Sequence, residues 1–201
     1  MDLLFSPASP FARKVRVLIR EGGLTGRVTE REVSTEVLGT AGDVVAANPL
    51  GKIPALIRDD GPALYDSRVI TRYLDTLADR DVYPQARLWE VLTLEATADA
   101  IMEAALAITY ETRFRPEAQR SPDWVAAQWG KIERALAAIE DRWMAHLAGR
   151  LDMGQVAVAC ALGYLDLRHG ERGWRNAVPA LAAWEATFAQ RPAMIATAPP
   201  D

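Results

Sequence analysis

The pattern of apolar residues changes near residue 80, and this change limits the fold more than any other feature of the 201-residue chain. Before it, short runs that favour strands alternate with helical patterns, whereas beyond it apolar residues recur only at helical spacing. The predicted strands are 2–5, 28–33, 54–57 and 63–64, and the predicted helices of this part are 10–21, 43–47 and one that begins at Asp66. We therefore expect an α/β domain of order βαβαββα with a mixed sheet over 1–79, a linker at 80–83, and an all-helical domain over 84–201.

The second part of the chain is predicted to contain four long helices. They cover residues 84–113, 122–147 and 152–168, and a last one begins near Pro179. The helix over 152–168 is the most apolar, so we expect it at the centre of its domain. Asp152 followed three positions later by Gln155 is typical of a capping box at the start of that helix.

Composition and charge argue against several classes of protein. The chain has 23 basic and 27 acidic residues, a net charge of −4, and neither half is basic enough to indicate nucleic-acid binding. There is no charged leader followed by an apolar block, and no uninterrupted apolar run of about 18 residues, so neither export nor membrane spanning is expected. Cys160 is the only cysteine, which rules out an internal disulfide and favours a cytoplasmic location.

A serine stands where the first strand turns into the first helix. The apolar run Leu3-Leu4-Phe5 is followed by Ser9-Pro10-Phe11, in which Pro10 suits the first helical position and Ser9 suits the N-cap. The Ser9 hydroxyl either only caps the helix by accepting the N–H of Ala12, or it acts on an anion held at the helix N-terminus. A serine hydrolase is disfavoured because the chain has no Gly-x-Ser-x-Gly motif and its two histidines lie in the other domain.

Three motifs and their order resemble those of a protein family. They are Ser9-Pro10-Phe11, the run from Asn48 to Pro54 (Asn-Pro-Leu-Gly-Lys-Ile-Pro) and Asp66-Ser67, and an all-helical region follows them. In this arrangement the chain resembles a cytosolic glutathione S-transferase over essentially its whole length. Position 9 is serine, not tyrosine or cysteine, which indicates the serine type. The resemblance implies a thioredoxin-like first domain, glutathione as co-substrate, no metal, a homodimer and a cytoplasmic role in detoxification.

The resemblance also implies roles for the residues that would bind glutathione. Ser9 would be the catalytic residue, because its hydroxyl would stabilise the thiolate of glutathione. A cis peptide bond before Pro54 would turn the N–H and C=O of Ile53 outward to pair with the glutathione backbone, although trans is the commoner isomer. Lys52 either reaches a glycyl carboxylate or is an ordinary solvated turn lysine.

Two further groups of residues complete the predicted site. Ser67 would donate to the γ-glutamyl carboxylate and Asp66 would accept from the γ-glutamyl ammonium, although both residues are also ordinary helix caps. A pocket for a small hydrophobic electrophile, in a cleft between the domains, is expected from Phe11, Met102, Tyr110, Arg113 and Phe114. Aromatic residues at helical spacing are more often core residues, so this group is the least constrained.

The function that the resemblance implies is conjugation of glutathione to small electrophiles by a glutathione transferase. Two alternatives remain open at this point. One is a glutathione-dependent peroxidase, isomerase or dehalogenase that uses the same site, and the other is a non-catalytic interaction or regulatory protein with the same fold. Ser9, Pro54 and Ser67 together favour glutathione binding, because a pure scaffold does not need all three.

Overall fold

The computed structural model describes residues 1–34, 39 and 42–200, and it divides into two compact units. The first unit comprises Met1–Leu88 together with Arg191–Asp201. Its strands are β1 (Asp2–Phe5), β2 (Thr29–Glu32) and β3 (Ala55–Ile57), and its helices are α1 (Pro10–Glu21), α2 (Gly42–Ala47), α3 (Ser67–Asp75) and the C-terminal α10 (Pro192–Ile195). The sheet order is β2-β1-β3, with β1 parallel to β2 and antiparallel to β3, so the sheet is mixed as predicted.

The central strand β1 is buried on both faces. Leu4 packs in a cluster with Val44 and Ala47 of α2 and with Ala55 of β3. Phe5 points to the opposite face, because successive side chains of a strand alternate, and the Arg16 guanidinium of α1 lies 4.3 Å from the centroid of its ring. An apolar β1 is therefore required by the helices that cover it on each side.

The fourth predicted strand, 63–64, is reduced to a single antiparallel bridge. Leu64 and Leu56 exchange both of their backbone hydrogen bonds, each at 2.9 Å, and no further residue joins the ladder there. Pro62 has no N–H to donate to a ladder, and the chain turns into α3 two residues after Leu64, which leaves no room for a longer pairing. The polar edge strand predicted at 28–33 is present as β2.

The second unit, Trp89–Gln190, is all-helical in the part that the structure describes. Its helices are α4 (Leu88–Phe114), α5 (Pro122–Arg142), α6 (Met144–Leu147), α7 (Met153–His169), α8 (Trp174–Ala177) and α9 (Pro179–Phe188). Helix α7 is buried along most of its length, as predicted for the centre of the domain. The predicted capping box is confirmed: the Asp152 carboxylate accepts from the Gln155 N–H at 3.2 Å, and the Gln155 side chain accepts from the Asp152 N–H at 3.1 Å.

The division between the units differs from the prediction of 1–79, 80–83 and 84–201. Val82 and Tyr83, placed in a linker by composition, are buried, and the Tyr83 hydroxyl lies 2.7 Å from Thr71 Oγ1. At the C-terminal end, Arg13 Nη2 of α1 donates to the Met194 carbonyl of α10 at 3.1 Å. This contact joins residues 181 positions apart, so composition along the chain does not reveal it.

Among the described residues, no helix is both long enough and apolar enough to cross a bilayer.

Candidate functional site

Ser9 occupies the N-cap of α1, at the end of the turn that follows β1. Its N–H donates to the Ser6 carbonyl at 3.0 Å, and its side-chain oxygen accepts from the Ala12 N–H at 3.2 Å. Pro10 is the first helical residue, as predicted. The cap uses a lone pair of Oγ only, and no described residue accepts the hydroxyl hydrogen of Ser9. Capping therefore leaves the hydroxyl able to donate to an anion.

The turn before β3 is held by Asn48, a residue whose role the sequence analysis did not assign. Asn48 is buried, its Nδ2 donates to the Lys52 carbonyl at 2.8 Å, and its Oδ1 accepts from the Leu50 N–H at 3.0 Å. Gly51 completes the turn at φ 63°, a left-handed conformation that glycine adopts without steric cost. Asparagine before the Pro-Leu-Gly turn is the signal that could have identified this anchor.

The residues after this turn present free backbone groups. The Ile53–Pro54 peptide bond is cis, the isomer that the family resemblance implied. Within the described ranges, neither the N–H nor the C=O of Ile53 has a hydrogen-bond partner. The Lys52 side chain is exposed. This short segment therefore offers one backbone donor, one backbone acceptor and an exposed cation to a ligand.

Asp66 and Ser67 form the start of α3. Asp66 is the N-cap, with Oδ1 accepting from the Arg68 N–H at 3.0 Å and Oδ2 lying 3.2 Å from Arg68 Nη2. Burial on its own raises the pKa of Asp66, but the hydrogen bonds and charge of Arg68 outweigh it and lower the net pKa. Asp66 is thus anionic at neutral pH. Ser67 is buried, yet its hydroxyl has no partner among the residues described.

The register of the sheet brings these segments to one edge. Leu4 pairs with Ala55 in the antiparallel ladder, so Phe5, which precedes the Ser9 turn, is level with Pro54. Leu56 and Leu64 pair in the antiparallel sense, so the residue opposite Pro54 is Asp66. Three segments far apart in sequence therefore present their free polar groups at the same edge of the first unit.

Lys14 is a further charged residue of this unit that the sequence analysis missed. It has no exposed surface, and its charge contributes to the lowered pKa of Asp66. Every residue of α1 from Ala12 to Ile19 is buried, and Lys14 is among them. A lysine at a core-facing position of an amphipathic helix was the available signal, because lysine is almost never fully buried without a partner.

Of the residues predicted for an electrophile pocket, Phe11 belongs to the first unit and the other four belong to the second. Phe11 is half-buried on α1. Met102 has no exposed surface and is a core residue of α4, so the structure does not support it as a lining residue. At the end of α4, Tyr110 and Phe114 stack edge to face with ring centroids 5.5 Å apart, and the Arg113 guanidinium lies 5.5 Å from the Phe114 centroid.

No group of three or more metal-ligating side chains was found in the described part of the chain. The site consists of hydrogen-bond donors, one carboxylate and a cation, which suits a small zwitterionic ligand. Direct nucleophilic chemistry by the protein is not indicated, because neither histidine belongs to the first unit.

Comparisons with known proteins identify the family to which this fold belongs. Residues 8–77 match the family model of the glutathione S-transferase N-terminal domain, and residues 122–186 match that of the C-terminal domain. An uncharacterised GST-like protein of Escherichia coli strain K12, YibF, is 33% identical, with 100% of this chain and 99% of that protein covered.

Crystal structures of a glutathione transferase family member from Pseudomonas fluorescens Pf-5 are 43% identical to this chain. The structure with bound glutathione has a TM-score of 0.97 and covers 100% of this chain and 99% of its own. The structure with bound S-(propanoic acid)-glutathione has a TM-score of 0.92 and covers 100% of both chains. With both domains matched and a relative aligned along its whole length, the chain belongs to the glutathione S-transferase family.

Proposed function

We propose that this protein is a serine-type glutathione transferase, which binds glutathione and activates its thiol for conjugation to small electrophiles. The observation that carries the proposal is the set of free polar groups at one edge of the sheet: the Ser9 hydroxyl, the Ile53 backbone and the Ser67 hydroxyl. The glutathione bound by the relative from P. fluorescens supports the same ligand here. A cytoplasmic role in detoxification is part of the proposal.

The ligand would be held at three points. The Ser67 hydroxyl and the free N–H groups at the N-terminus of α3 donate to the γ-glutamyl carboxylate. The anionic Asp66 accepts from the γ-glutamyl ammonium, which its lowered pKa favours. The Ile53 N–H and C=O pair with the peptide backbone of glutathione as an added strand would, and Lys52 neutralises the glycyl carboxylate.

Ser9 would act on the sulfur. A thiol with a pKa near 8.5 is largely protonated at neutral pH, whereas the thiolate is the nucleophile. A hydrogen bond from the Ser9 hydroxyl to the thiolate, worth about 1.5 to 3 kcal/mol, would lower that pKa by roughly one to two units. The thiol proton passes to solvent, the sulfur forms a bond to the electrophilic carbon, and the leaving group departs with its bonding electrons.

The test of activation is the thiolate absorbance of bound glutathione as a function of pH. In the wild type we expect a bound-thiol pKa below that of free glutathione, and in Ser9→Ala we expect it to return by roughly one to two units with binding retained. Ser6→Ala is the matched control on the same turn, because the Ser6 backbone carbonyl still holds the Ser9 N–H. An identical pKa in wild type and Ser9→Ala would limit Ser9 to capping.

The test of binding is calorimetry with glutathione. Ser67→Ala should weaken binding about tenfold or more, because a carboxylate loses a hydroxyl donor. Ser121→Ala, which changes a serine of the second unit at the start of α5, is the control for a serine substitution outside the site. Unchanged affinity in Ser67→Ala would remove Ser67 from the site. Binding without any thiol pKa shift would favour the peroxidase, isomerase or dehalogenase alternative, and no binding would favour a non-catalytic interaction protein.

The S-(propanoic acid)-glutathione bound by the relative from P. fluorescens suggests one kind of electrophile. S-(propanoic acid)-glutathione is a glutathione thioether with one additional carboxylate. We include conjugates of this type in the proposed activity, alongside those of neutral hydrophobic electrophiles.

We also propose a homodimer, with the outer face of α4 in the interface. In the second unit, an apolar groove of about 550 Å³ lies between α4 and α5, and its lining residues are Trp89, Leu92, Thr93, Ala96, Thr97, Ala100 and Ala135. Trp89 is 75% exposed, which is unusual for so large an apolar side chain. The first unit also exposes the apolar side chains Leu50 and Val69. A second copy of the chain would therefore offer apolar surface that could cover the groove.

A further inference from the structure

In the first unit, the segment that follows α3 is tied back onto that helix. The Asp75 carboxylate, at the end of α3, accepts the Val82 N–H at 2.8 Å. Val82 and Tyr83 are both buried, and the Arg72 guanidinium lies 4.7 Å from the centroid of the Tyr83 ring. The Tyr83 hydroxyl lies 2.7 Å from Thr71 Oγ1. The segment therefore contacts α3 at its end and at its middle.

The hydroxyl groups of Tyr83 and Thr71 form a hydrogen-bonded chain with a defined direction. Thr71 Oγ1 donates its single hydrogen to a carbonyl of the first turn of α3, that of Ser67 at 2.9 Å or that of Arg68 at 3.2 Å. Since a carbonyl oxygen can only accept, the Tyr83 hydroxyl must be the donor to Thr71 Oγ1. The chain runs from Tyr83 through Thr71 to the backbone at the start of α3.

This chain ends at the peptide group that joins Ser67 to Arg68. The C=O of that group accepts from Thr71 Oγ1, and its N–H donates to Asp66 Oδ1 at 3.0 Å. The first turn of a helix is otherwise its least constrained part, because its N–H groups lack partners within the helix. With both polar atoms of this peptide group held, the direction of the Ser67 side chain is restricted. Ser67 is only 2% exposed, and within the described ranges its hydroxyl has no hydrogen-bond partner.

We propose that Thr71 and Tyr83 are positioning residues for glutathione, because they hold Ser67 in the orientation in which it meets the γ-glutamyl carboxylate. The inference rests on the proposed function and deepens it. Thr71 has no exposed surface, so it acts through the backbone of Ser67 and not by touching the ligand. A binding group that is fixed before the ligand arrives loses less conformational freedom on binding, which increases affinity.

A role in stability alone is the competing explanation. A threonine in a helix commonly donates to the carbonyl four residues earlier, and Thr97, Thr109 and Thr197 do so as well. A buried tyrosine also needs a partner for its hydroxyl. In that case, loss of the pair formed by Thr71 and Tyr83 would affect all ligands alike. A positioning role affects only those ligands that carry the γ-glutamyl carboxylate.

The test compares two ligands by calorimetry. They are glutathione and 4-aminobutanoyl-cysteinyl-glycine, which lacks the γ-glutamyl carboxylate and keeps the ammonium, the thiol and the glycyl carboxylate. In the wild type we expect glutathione to bind about tenfold or more tightly than the analogue. Thr71→Val, which keeps the shape and removes the hydroxyl, should reduce this preference about threefold or more, with the affinity for the analogue within about twofold of the wild type. Tyr83→Phe should act in the same sense by a smaller factor.

Three comparisons make the result specific. Thr71→Ser keeps the hydroxyl and should preserve the wild-type preference to within about twofold. Thr76→Val removes a hydroxyl that donates to the Tyr73 carbonyl at 2.7 Å, at the other end of α3, and should change neither affinity. In a Ser67→Ala background, Thr71→Val should have a smaller effect than in the wild type, because both substitutions act on one contact. Circular dichroism and thermal unfolding show whether each variant is folded, and Tyr83→Phe, which removes a single oxygen, carries the test if Thr71→Val is not.

The outcomes separate the inference from the proposed function on which it rests. Equal binding of both ligands to the wild type, a preference that survives in Thr71→Val and Tyr83→Phe, or an equal weakening of both ligands overturns the inference while glutathione binding stands. An effect of Thr71→Val that is undiminished in the Ser67→Ala background overturns it as well. Failure of the wild type to bind glutathione overturns the proposed function, and the inference falls with it. A preference lost in Thr71→Val and kept in Thr71→Ser supports both.

Discussion

Arg175 joins three helices of the second unit, and its removal provides a sharp test of the electrostatic argument. It donates to Asp166 of α7 through Nε at 3.1 Å and Nη2 at 2.6 Å, and to Glu185 of α9 through Nη2 at 2.5 Å. Its guanidinium also lies 4.6 Å from the Trp174 ring centroid. Both carboxylates raise the pKa of Arg175, so the cation is permanent.

The cost of Arg175→Met depends on which carboxylate is left behind. Asp166 is partly exposed and still accepts the Trp174 indole N–H at 2.9 Å, so losing the ion pair to Asp166 costs little stability. The Glu185 side chain is only 7% exposed and would be left as a buried charge without a cation. We expect a loss of about 2 to 3 kcal/mol at neutral pH, which lowers Tm by roughly 4 to 12 °C for a chain of this size.

Thermal and urea unfolding of a four-member set measures this cost. The set is wild type, Arg175→Met, Glu185→Leu and the double variant, with Arg142→Met as a surface control that should cost less than about 0.5 kcal/mol. The double variant should recover about 1 kcal/mol or more relative to Arg175→Met, because the orphaned carboxylate is gone. An Arg175→Met variant that loses under about 1 kcal/mol, or a double variant that is no more stable than Arg175→Met, would refute the reasoning.

Three further predictions concern other parts of the chain. Burial lowers the pKa of His169, so the contribution of the neutral ring to stability is complete above the unfolded pKa of about 6.5 and is lost as the pH falls towards the folded pKa. His169→Gln, which can still donate to the Ala105 carbonyl, should therefore flatten the decline of the unfolding free energy between about pH 6.5 and 5. An unchanged slope would contradict this. Arg13→Met removes the buried hydrogen bond to the Met194 carbonyl, so amide hydrogen exchange should accelerate at residues 192–197 and not in β1. Equal protection of residues 192–197 in the wild type and the variant would show that α10 is held by other contacts. Trp89→Glu places a charge in the apolar groove and should halve the mass measured by light scattering, whereas a dimer that survives would move the interface elsewhere.

Much of the local structure could be predicted because its causes lie within a few residues. Ser9 and Asp152 cap their helices through hydrogen bonds to residues three positions later, and the sequence contains both members of each pair. The period of apolar residues likewise predicted α5 and α7, since one helix face repeats every 3.6 residues. The candidate residues of the glutathione site followed from motifs of the same short range.

The predictions that failed depended on distant partners. Leu64 forms one bridge and no strand because only Leu56 pairs with it, and Val82 and Tyr83 are buried because Tyr83 packs against Thr71 of α3. The C-terminal helix α10 packs with α1, although nearly the whole chain separates them. Lys14 was overlooked because its full burial depends on the elements that cover α1.

By itself, the sequence determined which residues cap the helices and form the turns, because capping hydrogen bonds, turn geometry and amphipathic spacing are local properties. The tertiary structure decided where those residues meet. Antiparallel register sets Ser9, Ile53 and Ser67 at one edge of the sheet, and the packing of α7 on α4 places the His169 ring against the Ala105 carbonyl. Register and packing depend on the simultaneous burial of apolar side chains from remote segments, which no short stretch of sequence specifies alone.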